Sequence, residues 1–219
     1  MNTIIKLNNI EKSYKNGKVK NEVLTNFSWN FEINCFTVLA GPSGSGKSSL
    51  LNILATLDRP DRGIYTLDGQ MVNFENKKEL TTLRRNNFGF VFQSFNLIPV
   101  LSALENVELP LTLFKYSEKK RKTMAVEALT LVGLKDKVGK RPYEMSGGEQ
   151  QRVAIARAIA RHPKIIFADE PTANLDKKNA WNIVHLMKDL NEKEGLSFII
   201  ASHDDKVIQT GKDVIQLGE

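Results

Sequence analysis

Hydrophobic positions along the 219-residue chain fall into short apolar runs separated by stretches of helical periodicity. The runs Cys35–Ala40, Phe88–Phe92, Ile165–Ala168 and Ser197–Ala201 suit buried strands of a parallel sheet. Asp213–Leu217 reads as a last strand. Near the N-terminus the pattern alternates instead. Ile4–Ile10 alternates in part and Val23–Ile33 carries Val23, Phe27, Trp29, Phe31 and Ile33 as apolar positions, with a turn at Lys15-Asn16-Gly17-Lys18 between them. A hairpin follows at Ile64–Phe74, turning at Asp68-Gly69-Gln70.

Helical spacing appears in Ser48–Leu57, with Leu50, Leu51, Leu54 and Leu57 on one face. It recurs in Lys77–Arg85, Ser102–Leu109, Ser117–Val132 (stopped by Gly133), Glu149–Arg161 and Lys177–Lys193, with Gly147 and Gly148 read as an interruption. These elements predict an α/β chain: a phosphate-loop core with a mostly parallel sheet, an antiparallel β subdomain, and a helical subdomain insertion. The core is expected over 1–93 and 161–219, with the helical insertion over 94–160, as a single nucleotide-binding domain. No internal repeat or low-complexity tract interrupts the pattern.

Composition changes little in this picture. Hydrophobic residues are 41% and charged residues 26%, which is ordinary for a globular domain. The lone Cys35 cannot form an internal disulfide, so a reducing compartment is expected. No apolar run approaches the ~20 residues of a membrane helix, and Met1–Ile10 does not read as a signal peptide. The net charge of +6 would suit an acidic surface, but the densest run, Lys119–Lys122, lacks interleaved aromatics. It gives no case for nucleic-acid binding.

The chemistry begins at Gly41-Pro42-Ser43-Gly44-Ser45-Gly46-Lys47-Ser48-Ser49, which reads G-x-x-x-x-G-K-S between a strand and a helix. The glycines let successive N–H groups turn inward, and the helix start adds partial positive charge. Lys47 can reach the outer phosphates and Ser48 can ligate Mg²⁺. A nucleoside triphosphate is the expected ligand. Other polar residues close apolar runs: Gln93, Asp169 with Glu170, and His203. In parallel α/β sheets ligands gather beyond the carboxyl ends of strands. Asp169 and the Gln93 amide oxygen suit a metal or its water. Glu170 suits a base orienting an attacking water, and His203 a γ-phosphate contact.

Ser146-Gly147-Gly148-Glu149-Gln150 opens a helix as a second anion site. One triphosphate has no need of two such sites from one chain. A two-fold dimer does, each copy closing on its partner's nucleotide.

These residues together resemble the ATP-binding subunits of ABC transporters. Gly41–Ser49 looks like the Walker A motif, Ile165–Glu170 like Walker B with its glutamate, and Ala173-Asn174-Leu175-Asp176 like the D-loop. Ser146–Gln150 resembles the signature, with Met145 for leucine and Glu149 for glutamine. Gln93 matches the Q-loop and His203 the switch histidine. Tyr14 sits where the family places an aromatic that stacks on adenine. Phe88–Gln93, Asn106–Pro110 and Asp169–Asp176 resemble the macrolide-exporter and lipoprotein-releasing branch, with Ala173 where glycine is usual.

The resemblance implies ATP and Mg²⁺ as ligands and hydrolysis in a head-to-tail homodimer. Glu170, His203, Gln93 and Lys47 would serve catalysis. Ser48, Gln93 and Asp169 would hold the metal. Tyr14, Gly41, Ser43–Ser49 and Ser146–Glu149 would bind the nucleotide. It also implies a membrane-spanning permease partner, gripped through the segment Phe92–Pro99, and a cytoplasmic location on the inner face of the membrane. Export or extraction is the expected work. A division-type motor that signals across the membrane without carrying solute is the alternative. A nucleotide kinase would leave Ser146–Gln150 without a use.

Overall fold

A computed structural model describes residues 3–17 and 19–218. Lys18, within the expected turn, lies outside the described residues. The chain divides into two compact units, Met1–Asn87 with Ile199–Glu219, and Phe88–Phe198. Residues 94–160 fall wholly within the second.

In the first unit, strands β1 (Thr3–Asn16), β2 (Val19–Glu32), β4 (Arg62–Leu67) and β5 (Gln70–Met71) form an antiparallel sheet in the order β2-β1-β4-β5. β1 and β2 run longer than the alternation predicts because bulges keep them paired. Lys12 faces Leu24 and Ser13 faces Glu22, so Val23 is the extra residue of one bulge. Asp68 and Gly69 take φ of 50° and 75°, the pair of left-handed residues a type I′ turn requires. β5 is shorter than the sequence suggests, ending before Val72.

Strand β3 (Phe36–Ala40) is buried throughout and pairs in parallel with β9 (Asp213–Gln216). Helix α1 (Lys47–Leu54) follows β3 and buries Leu50, Leu51, Ile53 and Leu54. Leu57 does not belong to this face. Thr56 turns left-handed at φ 54°, the Leu57 N–H bonds back to Asn52, and the Leu57 side chain is exposed. The buried Tyr65 hydroxyl donates to the Leu54 carbonyl at 2.9 Å, satisfying an oxygen at the helix end. Helix α2 (Lys77–Asn87) closes this part of the chain.

In the second unit, β6 (Phe88–Phe92) pairs in parallel with β7 (Ile165–Asp169). Between them lie α3 (Ala103–Glu108), α4 (Glu118–Leu131) and α5 (Gly147–Ile159). Ser102, Ser117 and Ser146 cap these helices. Gly147 and Gly148 are the first residues of α5 rather than a break before it. The serine cap supplies the start signal that the two glycines obscure. Helix α6 (Lys177–Glu194) begins at the Asp176 cap and ends at Gly195, φ 68°. The division between units falls inside β8 (Ser197–Ser202). A short α7 (Asp205–Ile208), absent from the sequence reading, follows it.

Candidate nucleotide site

Residues 41–49 form the tight loop that their glycines allow. Gly41 has φ 147°, and a Cβ there would lie 2.4 Å from the Leu217 carbonyl oxygen. Gly46, at φ 96°, would place a Cβ 2.7 Å from Val23 Cγ1 and 3.1 Å from the Val23 carbonyl. The bulge in β2 is what brings Val23 so close. Side chains are excluded at Gly46 both by conformation and by space.

Lys47 Nζ folds back along the loop, donating to the carbonyls of Gly41 at 2.7 Å and Pro42 at 2.8 Å. Its side chain is 6% exposed. Helix α1 has no side-chain cap and no acidic residue in its first turn. Its leading N–H groups are therefore available to an anion. Ser43 and Gly44 lie on the exposed rim, as does Ser48. The Ser45 hydroxyl is buried without a hydrogen-bond partner.

Tyr14 lies beside this loop. Its hydroxyl donates to Asp58 Oδ2 at 2.8 Å. Partial burial, with Asp58 alongside, holds the phenol above its ordinary pKa. The same unit carries His203, exposed one residue beyond β8.

In the second unit the register of β6 and β7 pairs Phe92 with Asp169. Gln93 and Glu170 therefore leave neighbouring strands at one level. Glu170 has φ 45°, an unusual conformation for a residue with a side chain. Asn174 Nδ2 donates to the Gln93 carbonyl at 3.1 Å. Phe95 and Asn96 follow in consecutive left-handed conformations, φ 58° and 50°.

Ser146 accepts from the Glu149 N–H at 3.4 Å, and the Glu149 carboxylate accepts from the Ser146 N–H at 2.9 Å. This is a reciprocal cap. The Glu149 carboxylate also pairs with Lys137. The Lys137 ammonium and the Ser146 N–H hold its carboxyl below the usual glutamate range. Glu149 is thus turned toward its own chain, while Ser146 is exposed. Gly148 is crowded, since a Cβ there would lie 2.8 Å from Asn179 Oδ1. A Cβ at Gly147 would meet nothing closer than 3.4 Å. The fold of one chain does not require glycine at 147. A surface that approaches from outside would. The buried Gln151 amide donates to the Pro171 carbonyl at 2.6 Å, tying α5 to the segment after Glu170.

Among the described residues no group of three or more His, Cys, Asp or Glu side chains could hold a metal. No helix of the described residues is long and apolar enough to cross a membrane.

Residues 24–173 match the family model described as ABC transporter. The chain belongs to the ABC transporter family. This ABC chain is an ATP-binding subunit and an ATP hydrolase. It is similar to MJ0796, an uncharacterized ABC transporter ATP-binding protein of Methanocaldococcus jannaschii, with 46% identity over 98% of this chain and 93% of the relative. It is also similar to the macrolide export ATP-binding/permease protein MacB of Syntrophobacter fumaroxidans, at 41% identity. There it covers 98% of itself and 30% of the relative. A solved structure of MJ0796, described as a dimeric post-hydrolysis state bound to ADP and Pi, superposes with TM-score 0.87 at 44% identity. That match covers 98% of this chain and 94% of the other.

Several residues at the site carried no signal in the sequence. Lys12, Asp58, Lys137 and Arg157 are charged residues in ordinary surroundings of the chain, and long-range contacts define them. Gln151 belongs to the same class.

Proposed function

We propose that two copies of this chain close head to tail on ATP and hydrolyse it to drive a separate membrane-spanning permease, in export or extraction. The observation that carries the dimer is the contrast at 146–148. Ser146 is exposed, and Gly147 is small without any need from its own fold. A nucleotide phosphate held by a second copy accounts for both. The solved structures of MJ0796 described as dimers support the same arrangement. Relatives of the MacB type support export as the work, and place the ATPase in one chain with its permease. For this chain we infer a location at the inner face of the membrane, held by the permease.

Within one copy, residues 41–49 hold the triphosphate and Lys47 neutralises its outer oxygens. In the described conformation the Lys47 ammonium already points along the loop, held by two carbonyls. Little reorganisation is then needed to meet a phosphate. Tyr14 offers its ring to the base. Glu170 orients and deprotonates the attacking water, and His203 contacts the γ-phosphate. Ser48 hydroxyl, Gln93 amide and Asp169 carboxylate oxygens are hard donors of the kind Mg²⁺ prefers, and would hold it. When bound, Mg²⁺ neutralises charge on the β- and γ-phosphates.

The test is a pair of variants. Glu170→Gln should keep ATP binding, lose turnover by on the order of 10²–10⁴-fold, and accumulate as a dimer on size-exclusion chromatography with ATP. Ser146→Arg in the same background should bind ATP as a monomer. A double variant that still dimerises would refute the cross-dimer role of Ser146.

A further inference from the structure

Tyr14 is not simply an exposed aromatic. It sits in a chain of polar contacts that ties it to the segment following helix α1. Lys12 and Tyr14 are two apart on β1 and so share a face of the strand. Lys12 Nζ lies 4.9 Å from the centre of the Tyr14 ring. It also pairs with Asp58 Oδ2 at 2.8 Å and donates to the Arg59 carbonyl at 2.8 Å. The Lys12 side chain is 7% exposed, whereas Tyr14 is 41% exposed. Asp58 in turn accepts from the Tyr14 hydroxyl at 2.8 Å.

The loop carrying Asp58 is itself fastened to β1. Asp61 Oδ2 accepts from both the N–H and the hydroxyl of Ser13, and the Asp61 N–H donates to the Glu11 carbonyl. Asp58 is therefore a fixed anchor. The ring of Tyr14 is held at its hydroxyl by Asp58 and covered on one face by a buried ammonium.

We infer that Lys12 and Asp58 are positioning residues for the purine of the nucleotide, acting through Tyr14. This deepens the proposal that Tyr14 stacks on the base. Lys12 occupies one ring face, so a base stacks on the opposite one. The cation also draws electron density from the ring, which favours an electron-rich purine against its outer face. The tether means that little ring freedom is lost on binding. Lys12, Tyr14, Asp58 and the phosphate loop all belong to one unit of the chain.

The experiment compares Mg·ATP with Mg·tripolyphosphate, which has no base, by calorimetry on the full chain. Tyr14→Phe keeps the ring and loses the tether. Lys12→Met keeps the stem and loses the ammonium. Tyr14→Ala loses the ring. Tyr14→Ala should weaken ATP by about tenfold or more. Tyr14→Phe and Lys12→Met should each weaken ATP by about three- to tenfold. All three should leave tripolyphosphate affinity unchanged, which a merely structural defect in the loop would not do. If only Tyr14→Ala weakens ATP, the base stacks on Tyr14 but the positioning role is overturned. If Tyr14→Ala has no effect, stacking on Tyr14 falls and the positioning role falls with it. Equal weakening of both ligands by Tyr14→Phe and Lys12→Met would also overturn the inference.

Discussion

Arg157 Nη2 donates to the carbonyl of Phe95 at 2.8 Å, and Nη1 of the same guanidinium donates to the carbonyl of Asn96. A planar fork from α5 thereby clamps two consecutive residues that are both left-handed. Such conformations cost of order 1 kcal/mol or more each and persist only when surroundings impose them. Gln93 lies two residues before the clamped pair, and its own carbonyl is held by Asn174.

Arg157→Ala should therefore release the loop after Gln93. We expect the unit to lose about 2 kcal/mol of stability, the worth of a pair of charged hydrogen bonds to backbone carbonyls. ATP turnover should fall about tenfold while ATP affinity stays near its original value. Arg157→Lys should not restore turnover, because a point charge cannot hold both carbonyls. Steady-state ATPase assays beside calorimetric binding would check this.

Glu170 carries its strain in its own backbone. At φ 45° glycine is favoured over any residue with a Cβ. Glu170→Gly and Glu170→Ala should both be inactive. In thermal or urea unfolding, however, the glycine variant should be the more stable of the two by about 1 kcal/mol. Equal stability would mean the conformation is not strained.

Gly46→Ala faces the opposite situation. Its Cβ would press on both the side chain and the carbonyl of Val23. The variant should lose at least about 2 kcal/mol of stability and most of its nucleotide binding. Adding Val23→Ala removes the contact with Cγ1 but neither the carbonyl contact nor the positive φ. The double variant should recover stability only in part.

The pair Glu149 and Lys137 makes stability depend on pH. The Glu149 carboxyl is held below the ordinary glutamate value, about 4.3 when unfolded. Its contribution is fully present above that value and is lost as pH falls through the lowered folded value. Glu149→Gln keeps an oxygen for the Ser146 N–H and removes the titration. The stability difference between wild type and variant should shrink as the pH is lowered below about 4, and should stay under about 1 kcal/mol because Lys137 is half-exposed.

Burial pushes the Cys35 thiol up to about 11. At pH near 8 its thiolate fraction should be on the order of 10²-fold below that of the unfolded chain. Alkylation of the native protein should be slower by a similar factor, measured by mass spectrometry with and without denaturant.

How much was legible in the chain follows from how local each signal is. Buried strands such as Phe88–Phe92, and helices such as the one that starts at Lys177, are written in adjacent residues, and they stand where the pattern puts them. The phosphate loop is equally local. Gly147 and Gly148 carried two readings, an interruption and the opening of a helix; the Ser146 cap and packing against Asn179 decide for the second against glycine's low propensity. Leu57 misled. Its spacing fits α1, but Thr56 reverses the chain first. The bulge at Val23, the Arg157 clamp and the Lys12–Asp58 pair were beyond reach. Each joins residues far apart in the chain, and no periodicity records a tertiary contact.

The parallel pairing of β3 with β9 also has a consequence in time. The rim of the phosphate loop is walled by Leu217, whose N–H bonds to the Ala40 carbonyl and whose own carbonyl crowds Gly41. Those partners come from opposite ends of the chain. On the ribosome the loop is made early, yet it stays without that wall until residue 217 has emerged. A chain that ends before β9 carries every residue of the loop but not this wall, and ATP should stabilise chiefly those copies in which β9 has joined β3.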